Sequence, residues 1–269
     1  MCVLCFSVIA QKLKVEDVVA KHLESIGSLE ARSAVKSQIA VGNITLKSVA
    51  QRSLTSEGRI VLASAGNKNF FGLTTNAVDY PTDKFSFDGS KAKIGYIRNG
   101  TRSILGNFMF SNRFLLEDGL IGGTLANSWV LLNFDGKNAK LSLDGTKKID
   151  GKEVYSVSYS TSKNNGTDVT LYFDKNTFHH LRSEYKSVSS ASIGSTPDQS
   201  SRFSESRLKV TENFSDFRNE KSLTMPHKYQ LVYSITGQNG TTEIVWDSIL
   251  NEFAYNQNLA PTTFDAEAN

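Results

Sequence analysis

The chain has almost no cysteine. Of its 269 residues only Cys2 and Cys5 are cysteines, so the chain from residue 6 onward can form neither a disulfide framework nor a zinc site built on thiolates. The Cys2-x-x-Cys5 spacing is that of redox motifs, but no helix start, polar surroundings or second pair accompanies it. We therefore assign no redox or metal function to the two cysteines.

The chain also lacks a concentration of positive charge. Thirty Lys and Arg stand against 27 Asp and Glu, which gives a net charge of +3, and no basic run of the kind that follows phosphates is present. Nucleic acid is therefore not an expected partner. Hydrophobic residues make up 39% and charged residues 21% of the chain, which is enough for a packed core and a hydrated surface.

Recognisable catalytic motifs are missing as well. No G-x-S-x-G nucleophile elbow occurs, and residues 119–123, Gly-Leu-Ile-Gly-Gly, lack the order of a phosphate-binding loop and are explained by a tight turn. The neighbours His179 and His180 fall on a predicted strand, where they point to opposite faces and cannot chelate one ion together. A lone histidine of this kind is typically a surface or edge residue. We expect no enzyme activity, no metal and no cofactor.

The only apolar segment near the beginning of the chain is short. Residues 2–10 are apolar apart from one serine, and Val8 and Ala10 precede Gln11 at the −3 and −1 positions of a small-residue cleavage site. The run is shorter than the about 20 residues that span a bilayer. It predicts a signal peptide over residues 1–10 whose basic beginning is missing, followed by a single domain over residues 11–269. The alternative is a buried N-terminal strand. A signal peptide implies a periplasmic or exported cell-envelope location.

Helical periodicity opens the rest of the chain. Five apolar residues recur at helical spacing opposite charged ones, which predicts an amphipathic helix that ends at Gly27. The five are Val15, Val18, Val19, Leu23 and Ile26. Ser28 can cap a second, short helix that reaches about Val35.

From residue 39 onward the period changes to two. Alternating runs such as Phe71, Leu73 and Thr75 follow one another at intervals of roughly ten residues, separated by turn signals. Among these signals are Asp144-Gly145 and Asp150-Gly151, and Ser187–Ser201 is predicted to be a loop. The pattern indicates a meander of about ten antiparallel strands. A sheet of this size curls, because each strand pair twists by about 20–25°.

Residues 101–132 interrupt the strands and are the most hydrophobic part of the mature chain. The spacing of Ile104, Leu105, Phe108 and Met109 predicts a helix here. We therefore expect a mainly β (α+β) fold: a curled, half-open antiparallel β-barrel. Its concave face would be covered by the N-terminal helix and this helical insertion.

The abundance of aromatic residues has two interpretations. Sixteen phenylalanines contribute to an aromatic content of 10%. Core packing explains them, and so does the lining of a site for an apolar ligand. For the second interpretation the candidate ligand-binding residues are Leu105, Phe108, Leu115 and Trp129.

Several short motifs, in order along nearly the whole chain, resemble the bacterial outer-membrane lipoprotein-sorting proteins, the LolA/LolB-like family. They are Lys21-His-Leu-Glu-Ser-Ile-Gly27, Lys36-Ser37, Val41-Gly42, Leu116-Glu-Asp-Gly-Leu-Ile-Gly-Gly123, Trp129, Phe214-Ser-Asp-Phe-Arg218, Leu223-Thr-Met-Pro-His227, Asn251, and Phe253 before Pro261. The resemblance implies a half-open antiparallel barrel with helices across its mouth, a periplasmic or envelope location, and lipids or acyl chains as cargo. It implies no catalytic residues. The chain departs from the carriers of that family in its length and in the hydrophobic block at 101–132.

We therefore predict a non-catalytic periplasmic or envelope binding or carrier protein for a lipid, an acyl chain or a lipoprotein, with peripheral association at the envelope as a further expectation. The alternative is an envelope scaffold or protein-interaction module with a filled core and no ligand.

Overall fold

One antiparallel sheet of twelve strands organises the chain. The computed structural model describes residues 13–49, 54–136, 139–189, 206–237 and 240–267. The strands are β1 (Ser37–Val49), β2 (Leu54–Ala65), β3 (Lys68–Thr75), β4 (Thr82–Phe87), β5 (Ala92–Ile94), β6 (Ala139–Ile149), β7 (Lys152–Thr161), β8 (Thr167–Asp174), β9 (His180–Ser189), β10 (Ser206–Glu220), β11 (Leu223–Gly237) and β12 (Gly240–Tyr255). The predicted mainly β class is confirmed. The number of strands exceeds the predicted ten partly because β5, with three residues, is too short to show alternation.

The strand order consists of two meanders joined side by side. Consecutive strands pair with one another except β5 and β6, and β1 also pairs with β12 along most of its length. The order is therefore β5-β4-β3-β2-β1-β12-β11-β10-β9-β8-β7-β6. As a consequence β5 and β6, which follow one another in the chain, lie at opposite edges of the sheet.

The sheet curls, as a ring contact across it demonstrates. Phe71 on β3 and Tyr229 on β11 are separated by three intervening strands, yet their ring centroids are 6.1 Å apart. In a flat sheet four strand spacings would separate these positions by about 19 Å. The curl brings the apolar side chains of distant strands together on the concave face, where they form one continuous core.

The helices lie over this concave face. They are α1 (Val15–Ile26), α2 (Leu29–Ala34), α3 (Ile104–Ser111) and α4 (Phe114–Glu117), with 3₁₀ turns at Gly123–Leu125, Val130–Gly136 and Pro261–Phe264. We call residues 101–136 the crossing segment, because they connect the two edge strands and must cross the sheet to do so. The apolar side chains of the crossing segment belong to the same core as those of the sheet. The predicted helical cover is therefore confirmed.

One local prediction needs correction, and two others lie wholly or partly outside the described residues. Asp144-Gly145 does not turn the chain: it lies inside β6, where a bulge between Leu143 and Gly145 takes up the extra residue. Asp150-Gly151 does form the predicted turn, with φ of 48° and 83°. The predicted signal peptide (1–10) and residues 190–201 of the predicted serine-rich loop lie outside the described residues. The first three residues of that loop, 187–189, belong to β9 and pair with β10, so the loop prediction is wrong for them.

Buried carboxylates fasten the crossing segment to the sheet. Asp83 on β4 accepts hydrogen bonds from Tyr80 and from Ser103 Oγ, the latter at 2.7 Å, and Ser103 in turn caps α3. Asp118, in the crossing segment, accepts a hydrogen bond at 2.7 Å from Tyr159 Oη on β7.

The third carboxylate, Glu212 on β10, is fully buried. It accepts hydrogen bonds from Gly122 N at 2.8 Å, from Tyr185 Oη at 2.6 Å and from Tyr229 Oη at 2.8 Å. Gly122 can present its N–H in this way because its φ of 83° is unstrained only for glycine. The glycines of residues 119–123 therefore form a tight turn, as predicted.

The Asp83 anchor makes stability depend on pH in a defined direction. Burial raises the pKa of Asp83 to about 7, against the hydrogen bond from Ser103, which lowers it. Between pH of about 4 and about 7 the unfolded chain has lost this proton and the folded chain keeps it. Each unit of rising pH therefore lowers the free energy of unfolding of wild type by up to about 1.4 kcal/mol. In Asp83→Asn this cost is absent. The free energy of unfolding of the variant relative to wild type, from urea titrations, should increase from pH 4 to 7 and then level off.

Other ionisable groups change both proteins alike, so the difference isolates Asp83. Asp79→Asn, at a 94% exposed carboxylate a few residues earlier, controls for the removal of a charge. A difference between Asp83→Asn and wild type that stays constant across this pH range would contradict the assignment.

Candidate ligand-binding groove

The position of α1 is fixed by one buried histidine. His22 is fully buried, and its Nδ1–H donates to the carbonyl oxygen of Phe178, at 3.0 Å, in the turn between β8 and β9. Its Nε2 accepts a hydrogen bond from Trp129 Nε1 at 3.2 Å. Burial lowers the pKa of His22 to about 3, which keeps the ring neutral and able to accept. The histidine thus joins α1 to the sheet and to the crossing segment.

Aromatic rings surround this histidine. Trp129 stacks on His180 with ring centroids 4.9 Å apart, and Phe173 lies 4.8 Å from His22. His180 is also fully buried. The expectation that isolated histidines lie at the surface is therefore wrong for these two, because ring stacking and hydrogen bonds offset the loss of hydration.

An apolar groove runs along one flank of α1. Val18, His22 and Ile26 face the core, while Val15 and Val19 remain half-buried. The groove has a volume of about 610 Å³ and is lined by these two residues together with Leu23, Leu131, Leu132, Phe134 and Leu141, and at its rim by Glu16, Ala20 and Asn133. It therefore lies between α1, the end of the crossing segment and the edge strand β6.

A second, smaller cavity continues from this groove toward α2. Its volume is about 340 Å³, and it shares Leu132 and Asn133 with the groove. We call it the polar cavity, because its lining includes Arg32, Lys36, Gln38, Thr124 and Asn127. Together the groove and the polar cavity follow the boundary between the N-terminal helices and the crossing segment.

A third cavity, of about 470 Å³, is of a different kind. It is lined mainly by polar side chains of β1, β10, β11 and β12. Several of these are bonded to one another: Asn213 Nδ2 donates to Gln230 Oε1 at 2.9 Å, and Gln230 Nε2 donates to Asp247 Oδ1 at 2.6 Å. A chain of mutually bonded polar groups does not suit an apolar ligand.

The four residues predicted to contact a ligand lie in the packed core. Leu105 is 1%, Phe108 4%, and Leu115 and Trp129 0% exposed. All four belong to the core shared by the sheet and the crossing segment, and Trp129 is the partner of His22. None of them lines the groove or the polar cavity. A role in ligand contact stays a prediction for these residues.

The groove residues were not singled out from the sequence, although a signal was present. The apolar positions of α1 occupy a stripe wider than the core side needs, since Val15, Val19 and Leu23 lie beside the fully buried positions. A wide stripe on a helix that covers a sheet indicates a second apolar contact. The other side of that contact is formed by Leu132, Phe134 and Leu141, which are distant from α1 in sequence.

Two further features bear on the class of site. Among the described residues no group of three or more His, Cys, Asp or Glu side chains could hold a metal ion. Within the same ranges, no helix has the length and apolar character needed to cross a membrane.

Comparisons with known proteins give structural similarities only. No family model matches the chain, and no curated protein matches it. Among solved structures, the chain is similar to a LolA superfamily protein from Nitrosomonas europaea, with 14% identity over 94% of this chain and 98% of that one and a TM-score of 0.47. It is also similar to an outer membrane lipoprotein-sorting protein domain from Vibrio parahaemolyticus, with 13% identity over 93% and 97% and a TM-score of 0.47.

A DUF1329 family protein from Desulfovibrio piger matches over 94% of this chain and 98% of its own, with 10% identity and a TM-score of 0.44. The first two of these structures carry the family description that the sequence motifs resemble. Because the TM-scores are below 0.5, the similarities do not bear on a ligand, and the function has to be argued from this chain's own residues.

The tie between Trp129 and His22 can be measured against a matched tryptophan. Trp246 is also fully buried, but its Nε1 has no hydrogen-bond partner among the described residues. Trp129→Phe should lose packing and the hydrogen bond to His22, whereas Trp246→Phe should lose packing alone. We expect Trp129→Phe to lower the free energy of unfolding by about 1–3 kcal/mol more than Trp246→Phe, measured by urea denaturation. Equal losses would show that the hydrogen bond contributes nothing.

Proposed function

We propose that this protein is a non-catalytic binding or carrier protein for a lipid or an acyl chain, and that the ligand lies in the apolar groove beside α1. The single observation that carries the proposal is the groove itself. Seven of its lining residues are apolar side chains of Val, Leu or Phe, and its volume falls within the about 300–1,000 Å³ typical of small-molecule sites. Burial of an acyl chain there would contribute about 0.8 kcal/mol per methylene.

The arrangement of the groove supports binding without chemistry. Its polar lining residues are Glu16 and Asn133, and both are exposed. A lone exposed carboxylate at the rim of an apolar groove offers no paired acid and base for catalysis. The groove therefore favours a role in holding an apolar chain.

The four core residues enter the proposal as a deeper contact. Trp129 lies two positions before Leu131, which lines the groove. For a chain that extended from the groove into the interior, we propose Trp129, Leu105, Phe108 and Leu115 as further contacts. In the structure these four side chains are themselves buried in the core.

A periplasmic or envelope location is part of the proposal. It is supported by the apolar run at residues 2–10 and by the motifs that resemble the lipoprotein-sorting proteins. Lipoprotein cargo would follow from that resemblance, and the groove accommodates the acyl part of such a cargo.

A scaffold or protein-interaction module is the second candidate, and the tightly filled core favours it. The largest side chains of the interior, among them Trp129, Trp246 and Phe214, are 2% exposed or less. A filled core needs no ligand for stability. The two functions are distinguished by whether the groove binds an apolar chain.

Two alanine-to-phenylalanine substitutions test the groove. Ala20 lines the groove and Ala34 on α2 lines none of the three cavities, while both are exposed helical residues. Ala20→Phe should fill part of the groove and weaken the binding of a fluorescent fatty-acyl probe by about tenfold or more. Ala34→Phe, which adds the same ring elsewhere, should bind the probe as wild type does. Titration of delipidated protein measures both.

Two results would contradict the proposal. One is wild-type protein that binds no acyl probe and retains no lipid in native mass spectrometry, which would favour the scaffold. The other is probe binding that Ala20→Phe leaves unchanged, which would place the ligand outside the groove.

Chain length provides an independent test. If methylenes are buried one after another in the groove, the affinity for saturated fatty acids should increase with chain length by up to about fourfold per methylene, because each contributes about 0.8 kcal/mol. The increase should stop when the groove is full, and earlier in Ala20→Phe than in wild type. Competition against the fluorescent probe measures the series. An affinity independent of chain length would rule out an apolar groove as the site.

A further inference from the structure

The polar cavity carries two positive charges and no negative one. Arg32 and Lys36 line it, and none of its other lining residues is Asp or Glu. Burial lowers the pKa of Arg32 and the charge of Glu24 raises it, but Glu24 itself lies outside the lining. An anion in the polar cavity would therefore meet two cations and no carboxylate in the lining, with Glu24 acting on Arg32 from outside the cavity.

Hydrogen bonds to the backbone hold the two cations in place without using up their donors. Arg32 Nε donates to the carbonyl oxygen of Gly27 at 3.0 Å, and Lys36 Nζ donates to that of Ser33 at 2.7 Å. Each of these bonds uses one N–H, whereas a guanidinium has five and an ammonium three. The remaining donors are those that a carboxylate or phosphate accepts from.

A buried hydroxyl in the lining of the same cavity has no hydrogen-bond partner among the described residues. Thr124 is 5% exposed, it lines the polar cavity, and its Oγ1 has no hydrogen-bond partner among the described residues. A buried polar atom without a partner is unfavourable. An oxygen of a ligand that occupied the cavity would accept a hydrogen bond from this hydroxyl.

The polar cavity and the apolar groove adjoin. Leu132 and Asn133 line both, so the two spaces are immediate neighbours, and a molecule that passed these two residues would have one part in each. An apolar trough that continues into a cationic, hydrogen-bonding cavity matches an amphiphile with an anionic end.

We propose that the polar cavity binds the anionic head group, a carboxylate or a phosphate, of an amphiphile whose apolar chain lies in the groove, with Arg32, Lys36 and Thr124 as the contacts. This inference rests on the proposed function, since it assumes that the groove holds the chain. It adds the chemical class of the ligand and its direction: the charged end lies toward α2 and the chain runs along α1.

Three probes of equal chain length test the head group: laurate, methyl laurate and dodecyltrimethylammonium, each in competition with a fluorescent acyl probe. Wild type should bind laurate roughly tenfold more tightly than methyl laurate, and the cationic probe most weakly. The double variant Arg32→Gln/Lys36→Gln should lose this preference and bind methyl laurate as wild type does. Unchanged binding of methyl laurate also shows that the variant is folded.

Matched controls separate the site from the overall charge. Arg59→Gln/Lys91→Gln removes the same two charge types at exposed positions that line none of the three cavities, and it should keep the preference for laurate. Thr124→Val should weaken laurate several-fold and leave methyl laurate unchanged, because it removes a donor at nearly constant volume.

The outcomes distinguish the two proposals. If wild type bound neither laurate nor methyl laurate, the proposed function would be overturned. Binding of methyl laurate with no preference for laurate, or a preference that survives Arg32→Gln/Lys36→Gln, would overturn the head-group site alone. Inorganic phosphate tests whether the cavity binds a free anion. If phosphate bound to the polar cavity while laurate and methyl laurate bound equally, the cavity would be a site for a free oxyanion and not for the head group of an amphiphile.

Discussion

The structure depends on one topological constraint: two consecutive strands lie at opposite edges of the same sheet. Because β1 pairs with β12, the chain that leaves β5 has to cross the sheet before it can begin β6. A connection that lies on the concave face of a curled sheet is buried, so it must be apolar, and its backbone groups need internal partners. The composition of residues 101–132, the buried carboxylates that fasten them to the sheet and the filled core all follow from this crossing.

Burial of polar groups fixes the layers relative to one another. Asp83, Asp118 and Glu212 hold the crossing segment on the sheet, and the neutral His22 holds α1 on the crossing segment through Trp129. These bonds are directional, whereas apolar packing is not, so they determine where α1 lies. The groove exists because α1 is fixed at this position with Val15 and Val19 beside, and not beneath, the buried side of the helix.

The site is formed where packing ends. The centre of the concave face is filled by protein side chains, and the groove and the polar cavity lie at the boundary between α1, α2 and the crossing segment. Apolar residues line the part along α1, and two cations with a buried hydroxyl line the part beside α2.

Much of the architecture was predictable from the sequence, because periodicity is a local property. The period of 3.6 over residues 15–26, the alternation from residue 39 onward and the apolar block at 101–132 determined the helix, the strands and the cover, whereas β5 and the bulge at Asp144-Gly145 left no separable local pattern. The candidate site was not predictable in the same way. The most hydrophobic residues, Leu105, Phe108, Leu115 and Trp129, became the core, and the groove is lined by residues far apart in sequence, such as Val19, Leu132 and Leu141. Only the tertiary structure decided which apolar side chains were covered by protein, because that depends on how the β1–β12 pairing and the crossing segment place α1 over the sheet.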